Sequence, residues 1–312
     1  MAVAFFFPGQ GAQHVGMGAD LAAEFPEAGE IGREADEVLG YGLSALCAGG
    51  PAEMLSLTEH AQPAILMTSV MTLRVLQART SIRPAVVAGH SLGEYTALVA
   101  AGALDFSDAL RIVHVRGRLM QEAVPAGVGA MAAIAGLDEA EIERVCADSR
   151  REREVLEPAN FNGAGQVVIA GHAAAVERAA LLASERGARL VRRLPVSAPF
   201  HCSLMEPAAK GLADVLEGVL FRVPAVPFVS SIDGMAVSDP SAFPARLARQ
   251  VERPIRWDRC VERIVALGCS EALEVGPDNV LSGLARRMKL GVTSRPVGTA
   301  AAMRKIVAGE EG

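Results

Sequence analysis

A short apolar run that ends in a sharp turn and continues into a helix most restricts the fold of this chain. Residues 85–88 are apolar, and residues 89–93 (Gly-His-Ser-Leu-Gly) follow at once. Residues 94–101 are then predicted to form a helix. A strand, a serine turn flanked by glycines and a helix form the context of a nucleophile elbow. The structural alternative is an ordinary turn with an exposed Ser91, so other residues must supply the partners of a nucleophile.

Apolar strands alternate with helices along most of the chain, which predicts an α/β core with a mostly parallel sheet. The predicted strands are 2–7, 85–88, 224–230 and 271–275. The predicted helices are 19–39, 57–77, 94–101, 107–123 (capped by Ser107), 204–216, 258–267 and 280–287. The tail after Arg304 is expected to be loosely held.

The pattern changes from about residue 127. Strands are predicted at 129–135, 155–161, 166–170 and 188–194, with helices at 138–148 and 173–186. This β-α-β-β-α-β order is that of a ferredoxin-like unit. We therefore expect a large α/β catalytic subdomain from residues 1–126 and 196–312, with a ferredoxin-like small subdomain, residues 127–195, inserted in it.

Composition excludes several classes of function. The 312 residues carry a net charge of −6 and only 4% aromatic residues, which argues against a nucleic-acid-binding surface. No apolar run is long enough to span a membrane, and the N-terminus lacks the basic segment of a signal peptide. The five cysteines are scattered without a CxxC pair, so we expect a cytoplasmic protein with free thiols and no zinc site.

Arg116 lies in the middle of the apolar face of the predicted helix 107–123. At 100° per residue, the side chains within about 60° of it are all apolar: Ala109, Ile112, Val113, Leu119 and Met120. A buried guanidinium is costly unless it is paired. Arg116 is therefore either half of a structural ion pair or a pocket residue that awaits a ligand carboxylate, which a guanidinium can bind in bidentate fashion.

Among six histidines, His201 is the best placed to act as a base for Ser91, because it re-enters the large subdomain directly after the insert. His90 adjoins Ser91, but its side chain is expected to point away along the elbow. No acid is obviously placed to orient His201. Asp258, Asp278 and a main-chain carbonyl remain as alternatives.

The loop after the first strand, residues 8–13, contains two glycines. It is either an ordinary strand-to-helix connection or a loop whose main-chain amides point at a ligand.

Several motifs, taken together, match a known family in type and order. They are residues 7–11 (Phe-Pro-Gly-Gln-Gly), 58–63 with Gln62-Pro63, 89–93, Arg116-Gly117 with Met120, 160–171, Pro199-Phe200-His201, Gln250 with Pro254, and 274–277 (Glu-Val-Gly-Pro). Over residues 5–298 the chain resembles the malonyl-CoA:acyl-carrier-protein transacylases, the acyltransferases of fatty-acid and polyketide synthesis. The resemblance implies an α/β-hydrolase-like large subdomain and an enzyme without a metal or redox cofactor.

The resemblance also implies residue roles. Ser91 would be the nucleophile and His201 the general base and acid, oriented by the main-chain carbonyl of Gln250. The main-chain amides of Gln10 and Leu92 would form an oxyanion hole.

The remaining implied roles concern the substrate. Arg116 would bind the free malonyl carboxylate, and further substrate contacts would come from Gln62, His90, Asn160, Asn162 and Phe200. Leu92 and Phe200 resemble the malonyl-selective pattern of the family. Residues 162–165 (Asn-Gly-Ala-Gly) depart from it, since many relatives have Asn-Ser-Pro-Gly there.

The implied reaction is ping-pong transfer of malonyl from malonyl-CoA, through a malonyl-serine, to the phosphopantetheine thiol of an acyl carrier protein. We expect a monomer whose carrier partner is acidic, so docking would need a local basic patch. The candidates are Arg189, Arg192 and Arg193, and Arg286, Arg287 and Lys289, each of which could equally be a solvated charged face. The competing functions are an acyl-thioesterase and a non-enzymatic carrier-docking module.

Overall fold

The computed structural model describes residues 2–196 and 198–309, so the outermost positions of the predicted large subdomain, residues 1 and 310–312, lie outside the described residues. The strands are β1 (Val3–Phe7), β2 (Val86–Gly89), β3 (Gly129–Ala135), β4 (Leu156–Gly163), β5 (Gln166–His172), β6 (Leu190–Arg193), β7 (Phe228–Val229), β8 (Ala236–Val237), β9 (Ile255–Arg256), β10 (Glu271–Glu274) and β11 (Thr293–Pro296). The α-helices are α1 (Ala19–Glu24), α2 (Pro26–Leu39), α3 (Leu43–Gly49), α4 (Ala52–Ser56), α5 (Thr58–Arg79), α6 (Gly93–Ala100), α7 (Phe106–Glu122), α8 (Glu139–Ser149), α9 (Ala173–Glu185), α10 (Glu206–Leu216), α11 (Phe243–Gln250), α12 (Trp257–Ala266), α13 (Val280–Met288) and α14 (Ala300–Val307).

The larger sheet has the order β11-β10-β1-β2-β7-β8 and is parallel except for the β7–β8 pair. Alternate residues of β1 belong to different cores: Phe5 and Phe7 lie in one hydrophobic cluster, and Ala4 and Phe6 in another on the opposite face. A parallel sheet covered on both faces needs apolar residues at every position, which explains the unbroken apolar runs of β1 and β2. The predicted α/β core with a mostly parallel sheet is confirmed.

The smaller sheet has the order β6-β3-β5-β4-β9. Its first four strands pair antiparallel and, with α8 and α9, follow the predicted β-α-β-β-α-β order, so the ferredoxin-like unit is confirmed. The fifth strand was not predicted. Strand β9 pairs parallel to β4, with Asn160 opposite Ile255, so a segment far outside residues 127–195 completes this sheet.

Two helix predictions differ in detail from the structure. The helix predicted over 19–39 is two helices, because Phe25 is extended and Pro26 begins α2, where a missing N–H costs nothing. Helix α7 begins at Phe106 with Asp105 at its N-cap, two residues before the predicted Ser107 cap. The Ser107 hydroxyl instead donates a hydrogen bond to Glu34 on α2.

The end of the chain is more ordered than predicted. Strand β11 extends the parallel sheet beyond β10, which the sequence analysis took as the last core strand. Helix α14 follows it, buries Met303 fully and extends to Val307, so the chain is helical for three residues past Arg304, where Lys305 and Val307 are exposed. Helix α11 was also missed, although it carries Gln250.

The predicted elbow joins β2 to α6 and is built on two close backbone contacts. A Cβ placed on Gly89 would lie 1.9 Å from the carbonyl carbon of Gly93, and one on Gly93 would lie 2.1 Å from the carbonyl oxygen of Phe7. Ser91 between them has a φ of 52°, a left-handed conformation that is strained for a residue with a side chain. Only glycine at 89 and 93 lets the turn pack this tightly against β1.

We predict that Gly89→Ala destabilises the protein by more than about 3 kcal/mol, because the added methyl group would overlap the backbone of Gly93. Gly49→Ala in α3 is the matched control, since a Cβ there would meet no atom within 4 Å. Urea unfolding of both variants measures the effect. Equal stabilities would contradict the close-contact explanation of the elbow.

Candidate active site

Ser91, His201 and Gln250 form a chain of hydrogen bonds at the end of β2. The Ser91 Oγ lies 2.8 Å from His201 Nε2, and His201 Nδ1 lies 2.9 Å from the main-chain oxygen of Gln250. The backbone around His201 is itself special: His201 has a φ of 62°, and its N–H donates to the carbonyl of Val251. A turn after the insert and the end of α11 thus hold the imidazole against the elbow.

The Gln250 carbonyl determines the tautomer of His201. A carbonyl oxygen only accepts hydrogen bonds, so Nδ1 carries the proton and Nε2 is left to accept from the Ser91 hydroxyl. Burial, reinforced by the charge of Arg116, lowers the pKa of His201 to about 3. The ring is therefore neutral near pH 7, the state that a general base requires.

The two carboxylate alternatives for orienting His201 are engaged elsewhere. Asp258 pairs with Arg256, and the side chain of Asp278 accepts from the main-chain N–H of Asn279. Of the three alternatives that the sequence left open, the main-chain carbonyl is the one in contact with the imidazole.

Arg116 projects from α7 into the same site and is 1% exposed. Its Nη2 donates to Ser91 Oγ at 3.1 Å and to Gln250 Oε1 at 2.9 Å, and its Nη1 donates to Gln62 Oε1 at 2.6 Å. Within residues 2–196 and 198–309, no carboxylate lies within ion-pair distance of this guanidinium. All three oxygens that it contacts are neutral. Among the described residues, Arg116 is therefore not half of a structural ion pair, which was one of the two alternatives from the sequence.

Glu94, the first acidic residue after the elbow, lies behind this group and is 1% exposed. One carboxylate oxygen accepts from Gln250 Nε2 at 2.6 Å, and the other accepts from the main-chain N–H of Ser231. Gln250 Nε2 also donates to the main-chain oxygen of Ser91 at 3.0 Å. Burial raises the pKa of Glu94 to about 7, against the lowering effect of the hydrogen bond from the Ser231 main chain.

These groups open into a cavity of about 410 Å³. Gln10 and Leu92 both line it, because the loop after β1 packs on the elbow: a Cβ on Gly9 would lie 2.4 Å from the carbonyl oxygen of His90. Among the described residues, neither the Gln10 nor the Leu92 main-chain N–H has a hydrogen-bond acceptor. Free N–H groups beside a serine hydroxyl are able to bind a developing oxyanion.

The remaining predicted residues divide into two groups. His90, Asn160 and Phe200 line the cavity. Gln62 and Asn162 do not line the cavity but contact residues that do. Gln62 contacts Arg116, and the Oδ1 of Asn162 lies 2.9 Å from His90 Nε2.

The side chain of His90, which was expected to point away along the elbow, reaches β4 of the smaller sheet and contacts Asn162 there. Residues 162–165 form the turn of the β4–β5 hairpin. Its two-residue loop is Ala164 and Gly165, which are both in the left-handed region.

Sequence reasoning missed several contributors. Glu94 and Ser231 were not singled out, although an acidic residue directly before the apolar segment 95–101 is a signal for a buried, partnered carboxylate. Residues 194–196 and Met131 also line the cavity. Their contribution depends on how the smaller sheet sits over the elbow, for which no local pattern exists.

The described residues contain neither a membrane-spanning helix nor a metal-binding group of side chains. None of the helices formed by residues 2–196 and 198–309 is both long and apolar enough to cross a membrane. The same residues contain no group of three or more His, Cys, Asp or Glu side chains arranged to hold a metal ion.

The raised pKa of Glu94 predicts a pH-dependent stability. The native state keeps the Glu94 proton up to about pH 7, whereas the unfolded chain releases it near the ordinary value of 4.5. Between these values the native state binds more protons, so this group lowers the free energy of unfolding as pH rises, by about 3 kcal/mol in all. His201, with its lowered pKa, contributes the opposite slope between about pH 3 and its ordinary 6.5.

Comparison of Glu94→Gln with wild type isolates the Glu94 contribution, because His201 is common to both. From pH 5 to pH 8 the variant should gain about 2 kcal/mol of stability relative to wild type. Urea unfolding at both pH values measures this. Parallel pH dependences would show that Glu94 titrates near its ordinary value.

Comparison with known proteins agrees with this geometry. A family model described as an acyl transferase domain matches residues 4–300. The malonyl CoA-acyl carrier protein transacylase of Escherichia coli strain K12 is 49% identical over 300 residues, which are 96% of this chain and 97% of that protein. The enzyme of the same name from Bacillus subtilis strain 168 is 44% identical over 298 residues, 94% of each chain.

Solved structures give the same result. The malonyl CoA-acyl carrier protein transacylase of Coxiella burnetii superposes with a TM-score of 0.96 at 42% identity, over 99% of this chain and 97% of that one. A malonyl-transacylase in complex with its type II PKS acyl-carrier protein superposes with a TM-score of 0.96 at 45% identity, over 99% of this chain and 100% of that one. The chain therefore belongs to the malonyl CoA-acyl carrier protein transacylase family of acyl transferases.

Proposed function

We propose that this protein transfers a malonyl group from malonyl-CoA to the phosphopantetheine thiol of an acyl carrier protein, through a malonyl ester on Ser91. The observation that carries the proposal is the Arg116 guanidinium, which is buried beside the Ser91 hydroxyl at 3.1 Å and has no carboxylate partner among the described residues. Such a site favours an acyl group that brings its own carboxylate.

In the first half-reaction, His201 Nε2 accepts the Ser91 hydroxyl proton as Oγ attacks the thioester carbonyl. The negative charge that develops on the carbonyl oxygen is stabilised by the main-chain N–H groups of Gln10 and Leu92. The C–S bond then breaks, His201 returns the proton to the departing CoA thiolate, and the malonyl-serine ester remains.

The second half-reaction runs through the same groups in reverse. The carrier thiol gives its proton to His201 and attacks the ester carbonyl, and Ser91 recovers the proton as it leaves. The Gln250 carbonyl holds the His201 tautomer that both steps require. These steps use side chains and main-chain amides alone, and they call for no electron transfer.

Arg116 would position the malonyl group. The malonyl carboxylate is separated from the reacting carbonyl by a single methylene, so a guanidinium that already contacts Ser91 Oγ is close enough to bind it. Held at both ends, the ester has little freedom to meet a water molecule in a reactive orientation. Phe200 and Leu92, which line the cavity, would crowd a methyl branch at the α-carbon, an effect worth about 1–3 kcal/mol.

The carrier protein would approach from the side of β6. The chain that leaves this strand, residues 194–196, lines the cavity, and the strand carries the exposed Arg192 and Arg193. Strand β6 thus places positive charge near the cavity mouth, which suits an acidic partner. The five cysteines are free and buried, which supports a reducing, cytoplasmic setting.

Intact-mass measurement after incubation with malonyl-CoA tests the proposal. The protein should gain one malonyl group, lose it to a phosphopantetheinylated carrier protein, and Ser91→Ala should gain none. Absence of an adduct on the wild type, or hydrolysis of acetyl thioesters faster than malonyl transfer to a carrier, would contradict the proposed reaction.

We predict that Arg116→Ala lowers kcat/KM for malonyl-CoA by about 100-fold or more, because the substrate carboxylate loses its charged partner. The ratio of acetyl to malonyl transfer should rise. Arg111→Ala is the matched control, since Arg111 lies on the same helix and pairs with Asp108 at the surface. An unchanged acetyl:malonyl ratio in Arg116→Ala would rule out the carboxylate contact.

A further inference from the structure

Both the main chain and the side chain of Gln250 take part in the hydrogen-bond network. Its main-chain carbonyl accepts from His201, its side-chain oxygen accepts from Arg116, and its side-chain nitrogen donates to Glu94 and to the main-chain oxygen of Ser91. The carboxamide therefore lies between a buried cation and a buried carboxylate. Gln250 is fully buried, so solvent does not compete for these contacts.

The direction of that carboxamide determines whether Arg116 can be held in place. A guanidinium only donates, so it needs the amide oxygen towards it, and a flipped amide would present an NH2 group to it instead. Glu94 and the Ser91 main-chain carbonyl both oppose the flip, because an ionised carboxylate and a carbonyl only accept hydrogen bonds and therefore require the NH2 group. The other Glu94 oxygen is held by the N–H of Ser231, so the carboxylate itself cannot rotate freely.

Glu94 also supplies the negative charge that Arg116 otherwise lacks. Hydrogen bonds that run from a cation through a neutral amide to an anion are strengthened at both ends. The guanidinium is thus balanced without direct contact, and its Nη1 and Nη2 groups remain turned towards Gln62, Ser91 and the cavity. A carboxylate in direct contact would instead compete with a substrate carboxylate for the same N–H groups.

We propose that Glu94 is a positioning residue that acts through the Gln250 carboxamide to hold Arg116 ready for a substrate carboxylate. This inference rests on the proposed function, and it assigns to Glu94 the selectivity for acyl groups that carry a carboxylate. Glu94 itself does not line the cavity.

The substitution Glu94→Gln tests the proposal at pH 8, where the wild-type carboxylate is ionised. A neutral amide offers one oxygen to two donors, so either the Ser231 N–H or the Gln250 carboxamide loses its acceptor. We expect the malonyl:acetyl ratio of Ser91 adduct formation to fall about 10-fold or more. Equal losses for both acyl groups would indicate a merely structural role and overturn the proposal.

Glu274→Gln is the matched control. Glu274 is also a fully buried carboxylate, and it accepts hydrogen bonds from the main-chain N–H groups of Leu281 and Ser282 at the start of α13. This variant should unfold at a lower temperature but keep the wild-type malonyl:acetyl ratio. A fall in its ratio like that of Glu94→Gln would also overturn the proposal, because general destabilisation would then explain both.

A second variant keeps the proposal falsifiable if Glu94→Gln fails to fold. Gln250→Leu removes the carboxamide and leaves the main-chain carbonyl for His201, so it should lose malonyl preference to a similar degree. In that background Glu94→Gln should change the ratio no further. An unchanged malonyl:acetyl ratio in Gln250→Leu would contradict the proposal that Glu94 acts through the Gln250 carboxamide. Additive losses of this ratio in the double variant would contradict it as well.

The wild-type measurement distinguishes a failure of the proposed function from a failure of the positioning role of Glu94. A wild type that forms no malonyl adduct refutes the proposed function, and the role of Glu94 falls with it. A wild type that prefers malonyl over acetyl, together with Glu94→Gln that keeps this preference, refutes the positioning role alone.

Discussion

The close contact between two backbones at the ends of β1 and β2 is the constraint on which the site depends. Gly93 lies against the carbonyl of Phe7, and Gly9 lies against the carbonyl of His90. Without side chains at these points, the loop after β1 and the elbow after β2 come together over Ser91. The strained backbone of Ser91 lies at this approach, and so do the N–H groups of Gln10 and Leu92, which have no acceptor in the part of the chain that the structure describes.

A second constraint is electrostatic. Arg116 is a large, fully buried cation in a helix whose other inward-facing residues are apolar, and desolvation lowers its pKa. Neutral oxygens surround it, and the balancing carboxylate of Glu94 stands one amide away. The same positive charge helps to keep His201 neutral, so in the proposed reaction a single buried arginine would serve both acyl binding and proton acceptance.

Sequence patterns predicted those features of the structure that depend on residues close together in the chain. The elbow, the apolar position of Arg116 and the β-α-β-β-α-β order depend on residues near one another in the chain, and each agrees with the structure. Contacts between residues far apart in the chain were harder to predict from the sequence. The choice among orienting groups for His201 needed the position of Gln250 on α11, a helix that was not predicted, and the contacts of Glu94 needed Gln250 and Ser231 together. The resemblance to a family supplied Gln250, which residue patterns alone had left open.

The two sheets are joined by more than the polypeptide that connects them. Strand β9 from the C-terminal part pairs with β4, the Arg256 guanidinium lies 4.2 Å from the centre of the Phe161 ring, and His90 contacts Asn162. Backbone pairing therefore fixes the smaller sheet to the C-terminal part of the chain, next to Asn160 of the cavity lining. Under the proposed function, the size of the acyl group that fits would be altered through the side chains that face the cavity, such as Met120, Met131 and Phe200. Substitution of these side chains would leave the main-chain pairing of β4 with β9 in place.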